Sequence, residues 1–210
     1  MFDAVGTLIR PQPTVAAAYL TAAHRHGIAA DWTENEVDRR FRAALSRQEE
    51  LDRAAGWATS EHRERHRWQA IVRDVFGAAS HHAELFTDLW DHFADPQNWS
   101  PIEAARQQLV TARQAGLTIG VASNFDARLH QLLAAMPELD VADNVFVSSE
   151  IGWRKPSREF FRTVEAKLGL AAEQILLVGD DVKNDYSAAQ DAGWKALLVD
   201  RSMRTAAQYE

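Results

Sequence analysis

Ile175-Leu176-Leu177-Val178-Gly179-Asp180-Asp181 runs four apolar residues into a glycine and two acids. A short continuous apolar run bounded by a turn signal reads as a strand buried on both faces, the kind that parallel sheets contain. The segments 117–123, 144–148 and 195–199 have similar texture. Helical patterns lie between them at 103–115, 126–135 and 157–168, and a further helix ends near Ala192. Gly116 and Gly169 stand where helices stop. Strands alternating with helices indicate a doubly wound α/β core on a parallel sheet. Its first strand is supplied by the chain's opening, Met1-Phe2-Asp3-Ala4-Val5-Gly6-Thr7-Leu8, an apolar lead that delivers an acid into a Gly-Thr turn.

Residues 14–95 read differently, as helices throughout. The segment 14–26 is Ala-rich and closes on Gly27, and Thr33-Glu34-Asn35-Glu36 matches a capping box that opens a helix to about residue 55. Segments 60–76 and 81–94 complete the set, and Pro96 and Pro101 punctuate a linker. The expected organisation is therefore a core of residues 1–13 and 96–210 with an all-helical insert of residues 14–95.

The 210 residues are 46% hydrophobic and 25% charged, ordinary for a globular protein. A net charge of -7 argues against a nucleic-acid partner. No apolar run is long enough to span a bilayer, so no membrane partner is expected. The absence of cysteine excludes disulfides and thiolate metal sites and is compatible with a cytoplasmic location.

In such sheets the ligand sits beyond the carboxyl ends of the strands. Asp3, Ser123-Asn124 and Asp180-Asp181 fall at those ends, Lys155 lies in a loop after another, and Asp185 follows one turn into the next helix. Each alone reads equally as a turn residue, a cap or a solvated charge. Together they suit magnesium-assisted phosphoryl transfer. Crowded carboxylates raise one another's pKa, a divalent cation relieves that, and Mg²⁺ favours carboxylate and phosphate oxygens. Asp3 can attack phosphorus, Ser123 can hold phosphate, and Lys155 can neutralise developing charge.

The chain resembles a haloacid dehalogenase-like hydrolase with a helical cap. Residues 2–8 resemble the first motif, Ala122-Ser123-Asn124 the second, Lys155-Pro156 the third, and Gly179-Asp180-Asp181 through Asp185 the fourth. Residues 123–129, 149–156 and 179–185 are similar to the branch called REG-2-like or domain-containing-3-like. The resemblance implies a Rossmann-like core and Asp3 as nucleophile. It implies Mg²⁺ held by Asp3, the Val5 backbone carbonyl and Asp180, with Asp181 and Asp185 as further ligands or as partners of the ligands. It also implies phosphate contacts from Gly6, Thr7, Ser123, Asn124 and Lys155. Arg10, near the hinge, reads as a contact for an anionic substrate or as a salt-bridged hinge residue. The implied substrate is a small phosphorylated metabolite.

Two features depart from that family pattern. Val5 stands where phosphatases usually carry an acid, which removes a contribution of roughly 10²–10⁴-fold in rate. The same residue suits a metal-independent 2-haloacid dehalogenase, or a member that binds a ligand or partner without catalysis. The retained acids Asp180, Asp181 and Asp185 favour the metal-dependent reading. Secondly, only Met1 and Phe2 precede Asp3, fewer than the five or six residues of an average strand. That strand is expected to be cut short and weakly supported. His62 and His66 are four apart, but among Arg63, Glu64 and Arg65 they read as a solvated helix face. His81-His82 reads as a helix start. Trp57, Trp68, Trp90 and Trp99 read mostly as packing within the insert, with one available to line the cleft. The Asn98-Trp99-Ser100 sequon reads as coincidence.

Overall fold

In the computed structural model, which describes residues 1–77, 82–139 and 144–199, strand β1 (Ile9–Pro11) pairs antiparallel with β2 (Trp99–Pro101). The chain leaves this ribbon for four helices and returns through it. The helices are α1 (Val15–Arg25), α2 (Glu34–Ala54), α3 (Glu61–Phe76) and α4 (His82–His92). The stretch read as a proline linker is thus partly a strand. An edge ribbon tolerates Pro11 and Pro101 because it does not need every N–H. His81 lies outside the described residues.

Helix starts follow the local signals. Thr14 accepts from the Ala17 N–H and Ser60 from the Arg63 N–H. The capping box at Thr33 forms only by half. Thr33 accepts from the Glu36 N–H, but the Glu36 carboxylate is taken by Arg39 and Arg40 instead of reaching back. Tyr19, Val37, Ile71, Val75 and Leu85 make an apolar cluster belonging to these four helices alone.

Past β2, α5 (Glu103–Gln114) leads to β3 (Val121–Ser123), which pairs in parallel with β4 (Val145–Val147). β5 (Leu176–Gly179) pairs in parallel with β6 (Lys195–Leu198). Phe2 joins the two halves, bridging Val121 on one side and Val178 on the other. The sheet order is β4, β3, the opening segment, β5, β6. The chain's progress through the sheet reverses at Phe2, and Asp3 stands at that switch point. The opening strand is short, as expected, but paired on both flanks. Phe2 and Asp3 donate to Gly120 and Val178, while Ala122 and Val178 donate back to Phe2 and Met1.

Alternation along each strand sorts side chains to two faces. Val121 and Val178 pack with α5 and α6 (Arg128–Ala134). Ala122 and Leu177 face Phe160, Phe161 and Ala189, from α8 (Arg158–Leu168) and α9 (Ala188–Asp191). The four-residue helix α7 (Ser148–Ile151) follows β4 directly. β3 is shorter than the 117–123 run suggests, and Leu117 is 59% exposed. No described helix is long and apolar enough to cross a membrane.

Candidate active site

The strand ends bring three buried carboxylates together. Oxygens of Asp3, Asp180 and Asp185 lie within 4.8 Å of one another. Asp3 follows the opening strand, Asp180 follows β5, and Asp185 sits in a π-helical turn, Val182–Ser187. Two glycines make the approach feasible. A side chain on Gly6, whose φ is +91°, would come within 2.6 Å of an Asp180 oxygen, and one on Gly179 would collide with the Asp185 carboxylate. Thr7 Oγ1 donates to Asp180 Oδ1 at 3.3 Å.

Lys155 enters this cluster from the loop after α7 and is 1% exposed. Its ammonium donates to Asp3 Oδ1 (2.9 Å), Asp185 Oδ1 (2.5 Å) and the Ala122 carbonyl (2.7 Å), which spends all three protons. Asn124 positions it, its side-chain amide donating to the Lys155 carbonyl and accepting from the Lys155 N–H, each at 2.8 Å. Burial would lower the lysine's pKa, but Asp185 and Asp3 outweigh it and hold the ammonium above its usual range. Asp3 is pushed up to about 7 by burial, against the pull of Lys155, with Asp185 and Asp180 adding to the rise. One lysine leaves three crowded carboxylates short of positive charge. That donor set fits a divalent cation, and Mg²⁺ in particular, which prefers carboxylate oxygens.

The remaining residues singled out in the sequence divide. Ser123 ends β3, 2% exposed, and lines the same cavity as Asp3 and Lys155. Asp181 stands apart from the three-carboxylate group, because its carboxylate caps the π-helical turn. It accepts from the N–H groups of Lys183 (2.8 Å) and Asn184 (2.9 Å). The Gly6 and Thr7 N–H groups are also spent, on the carbonyls of Ile9 and Ala4. Arg10 is exposed on β1 and is not in the cavity wall. By contrast, among the described residues the N–H groups of Ala4 and Val5 donate to no protein acceptor, and the Val5 carbonyl accepts no hydrogen bond. Sequence reasoning overlooked these two N–H groups, since a backbone donor leaves no residue signature.

Above the carboxylates lies a cavity of about 320 Å³ between the sheet edge and the four helices. Its upper wall is aromatic, with Trp68, Trp90 and Trp99 among the contributors. Trp57 is not among them; its carbonyl instead accepts from the Arg154 N–H. Arg67 and Arg154 also reach the cavity, tied into a buried network that the sequence did not reveal. Asp52 pairs with Arg67 (2.9 Å) and Arg63 (2.7 Å), and Glu64 pairs with Arg154. Burial would raise the Asp52 carboxyl, but Arg67, Arg63 and Arg154 hold it below its usual range. His62 and His66 lie exposed on α3 with Nε2 atoms 3.1 Å apart, away from this site.

A family model described as haloacid dehalogenase-like hydrolase matches residues 1–193. The haloacid dehalogenase-like hydrolase domain-containing protein 3 of Danio rerio is 26% identical over 96% of this chain and 84% of its own length. The rhythmically expressed gene 2 protein of Drosophila melanogaster is 26% identical over 94% of this chain and 81% of its own. Among solved structures, the protein YfnB from Bacillus subtilis, bound to magnesium, superposes with a TM-score of 0.74. That match covers 94% of this chain and 86% of YfnB at 21% identity. The strand order, the converging strand ends and the family match agree, and the chain belongs to the haloacid dehalogenase-like hydrolases.

Proposed function

We propose that the protein is a Mg²⁺-dependent phosphohydrolase acting on a small phosphorylated metabolite through an aspartyl-phosphate on Asp3, with residues 14–95 serving as a cap over the site. The observation that carries this reading is the gathering of Asp3, Asp180 and Asp185 within 4.8 Å around a single lysine. Asp3, Asp180 and the Val5 carbonyl would hold the ion, with Asp185 beside them. Bound there, Mg²⁺ supplies positive charge to the phosphate oxygens and to the carboxylates.

A carboxylate oxygen of Asp3 attacks phosphorus while the Ala4 and Val5 N–H groups and the Ser123 hydroxyl hold the phosphate oxygens. Lys155 keeps Asp3 oriented and offsets negative charge as the bond to the leaving group breaks. Water then attacks phosphorus, the bond to Asp3 breaks, and inorganic phosphate leaves with the carboxylate restored. Val5 donates no proton, so the leaving group departs with its electron pair and takes a proton from solvent.

Release of phosphate from acetyl phosphate with and without Mg²⁺ tests the reading. Activity that ignores Mg²⁺, or that survives Asp3→Asn, overturns it. The apolar side chain of Val5 and the apolar cavity above it also favour a second reading, a metal-independent dehalogenase. Halide release from a 2-haloacid in excess chelator would establish that alternative. The three-carboxylate cluster counts against it, since without a cation those charges repel.

A further inference from the structure

We infer that the cavity receives the leaving group as an aromatic ring, so that the substrates are aryl phosphates whose ring carries a hydrogen-bond acceptor reaching Tyr19. This rests on the phosphohydrolase reading and narrows it to a substrate class.

The wall of the cavity is largely aromatic. Phe41, Trp68, Phe86, Trp90, Phe93 and Trp99 all line the cavity whose other end holds Asp3 and Asp185. Several charged side chains of the wall pair within the protein, and Glu49, also in the wall, lies 3.7 Å from Lys183. Arg67 pairs with Asp52, Arg154 with Glu64, and Arg128 with Asp126. Arg128 also lies 3.5 Å from the centre of the Trp90 ring and donates to the Trp90 carbonyl, which fixes that ring in place. Against the rings themselves, a sugar or amino-acid leaving group would bury its hydroxyl or amino groups without partners. A flat apolar ring loses nothing there.

Tyr19 adds a polar group to that wall. It is 2% exposed, lines the cavity, and packs against Phe41 with ring centres 5.3 Å apart. Among the described residues its hydroxyl makes no hydrogen bond, yet it is not one of the sealed, unsatisfied polar atoms. It therefore opens on the cavity. Burial pushes the phenol up, against the pull of Arg128 and Arg67, so it keeps its proton and can donate it. Buried hydroxyls are normally paired, which points to an acceptor brought by the ligand.

Val5 sets a demand on the leaving group. With no acid at that position, the rate depends on the stability of the departing oxyanion. A phenol ionises near pH 10, while an alkanol lies near water at about 16. An aryl oxide therefore departs unaided far more readily than an alkoxide. The balance is simple: the Asp3 oxygen–phosphorus bond forms, the phosphorus–aryl oxygen bond breaks, and the aryloxide carries off the electron pair and is protonated by solvent.

The test compares phenyl phosphate, 4-acetylphenyl phosphate, propyl phosphate and acetyl phosphate with Mg²⁺ present. The aryl esters should exceed acetyl phosphate in kcat/KM by about ten- to a hundredfold, the value of burying one ring, although acetate is the better leaving group. Propyl phosphate should be the slowest. Tyr19→Phe should raise KM for the 4-acetyl ester about two- to tenfold, the value of one hydrogen bond, and affect phenyl phosphate less. Val72→Phe, which fills the cavity, should slow the aryl esters and spare acetyl phosphate. Acetyl phosphate matching or beating the aryl esters overturns the inference while leaving the phosphohydrolase reading intact. If no phosphate is turned over, that reading fails. The cavity is then tested alone by titrating 4-hydroxyacetophenone against tryptophan fluorescence. Saturable binding that Tyr19→Phe weakens upholds the aromatic site, and its absence overturns it.

Discussion

The Arg154 guanidinium donates to the Glu64 carboxylate, joining the residue next to Lys155 to helix α3 of the helical insert. Glu64 is 1% exposed and Arg154 8% exposed, and Thr59 Oγ1 donates to the same Glu64 oxygen at 2.7 Å. The charge that secures the helices is one peptide bond from the charge that contacts Asp3.

Breaking that pair leaves an uncompensated buried charge. Glu64→Ala should therefore cost about 3–5 kcal/mol of stability. Glu64→Gln, which can still accept from Thr59 and Arg154, should cost less. Urea denaturation of both variants checks this, and equal losses would reject the argument.

Asp52 gives the protein an acid-sensitive joint. Its folded carboxyl is depressed by Arg67, Arg63 and Arg154 despite burial. A depressed carboxyl adds stability that is fully present above the unfolded value of about 3.9 and is lost as pH falls through the folded value. Wild type should lose stability below about pH 4 more steeply than Asp52→Asn, with the variant already less stable at pH 7. Denaturation midpoints between pH 3 and 7 measure the difference.

A divalent cation should distinguish Asp180 from Asp181. Added Mg²⁺ should raise the melting temperature of the wild type by mass action. Asp180→Asn should abolish that rise. Asp181→Ala should lower stability by about 1 kcal/mol through the lost cap but retain the Mg²⁺ response. Thermal melts with and without Mg²⁺ distinguish the two, and loss of the response in Asp181→Ala would make that residue a ligand.

Restoring an acid at position 5 should help poor leaving groups most. Val5→Asp is expected to raise the rate on propyl phosphate by about 10²-fold or more, with a smaller gain on 4-acetylphenyl phosphate. Steady-state kinetics on both esters check this. An equal gain on both would reject the missing-acid account.

The core was legible because its strands are apolar runs between stretches of helical pattern. Their ends then named Asp3, Ser123, Lys155, Asp180 and Asp185 as neighbours. The capping role of Asp181 was not legible, because two consecutive acids after a strand do not reveal which one turns to cap the next helix. The exposure of Arg10 could have been read from alternation on β1, since buried Ile9 puts its neighbour on the outer face. The ribbon at 99–101 was hidden by its prolines. The tryptophans read as packing include three that line the cavity, a distinction that depends on how four helices lean over the sheet. The network around Asp52 was invisible because its members are scattered from Asp52 to Arg154.

The two glycines at positions 6 and 179 have an evolutionary consequence. They fix the spacing of the acids by leaving room, so that spacing is written in the backbone of the sheet edge. The aromatic wall is written mostly in a different stretch of chain, the inserted helices. Substitutions there can accumulate without moving the reacting groups, so new specificities can be sampled while the chemistry is inherited unchanged.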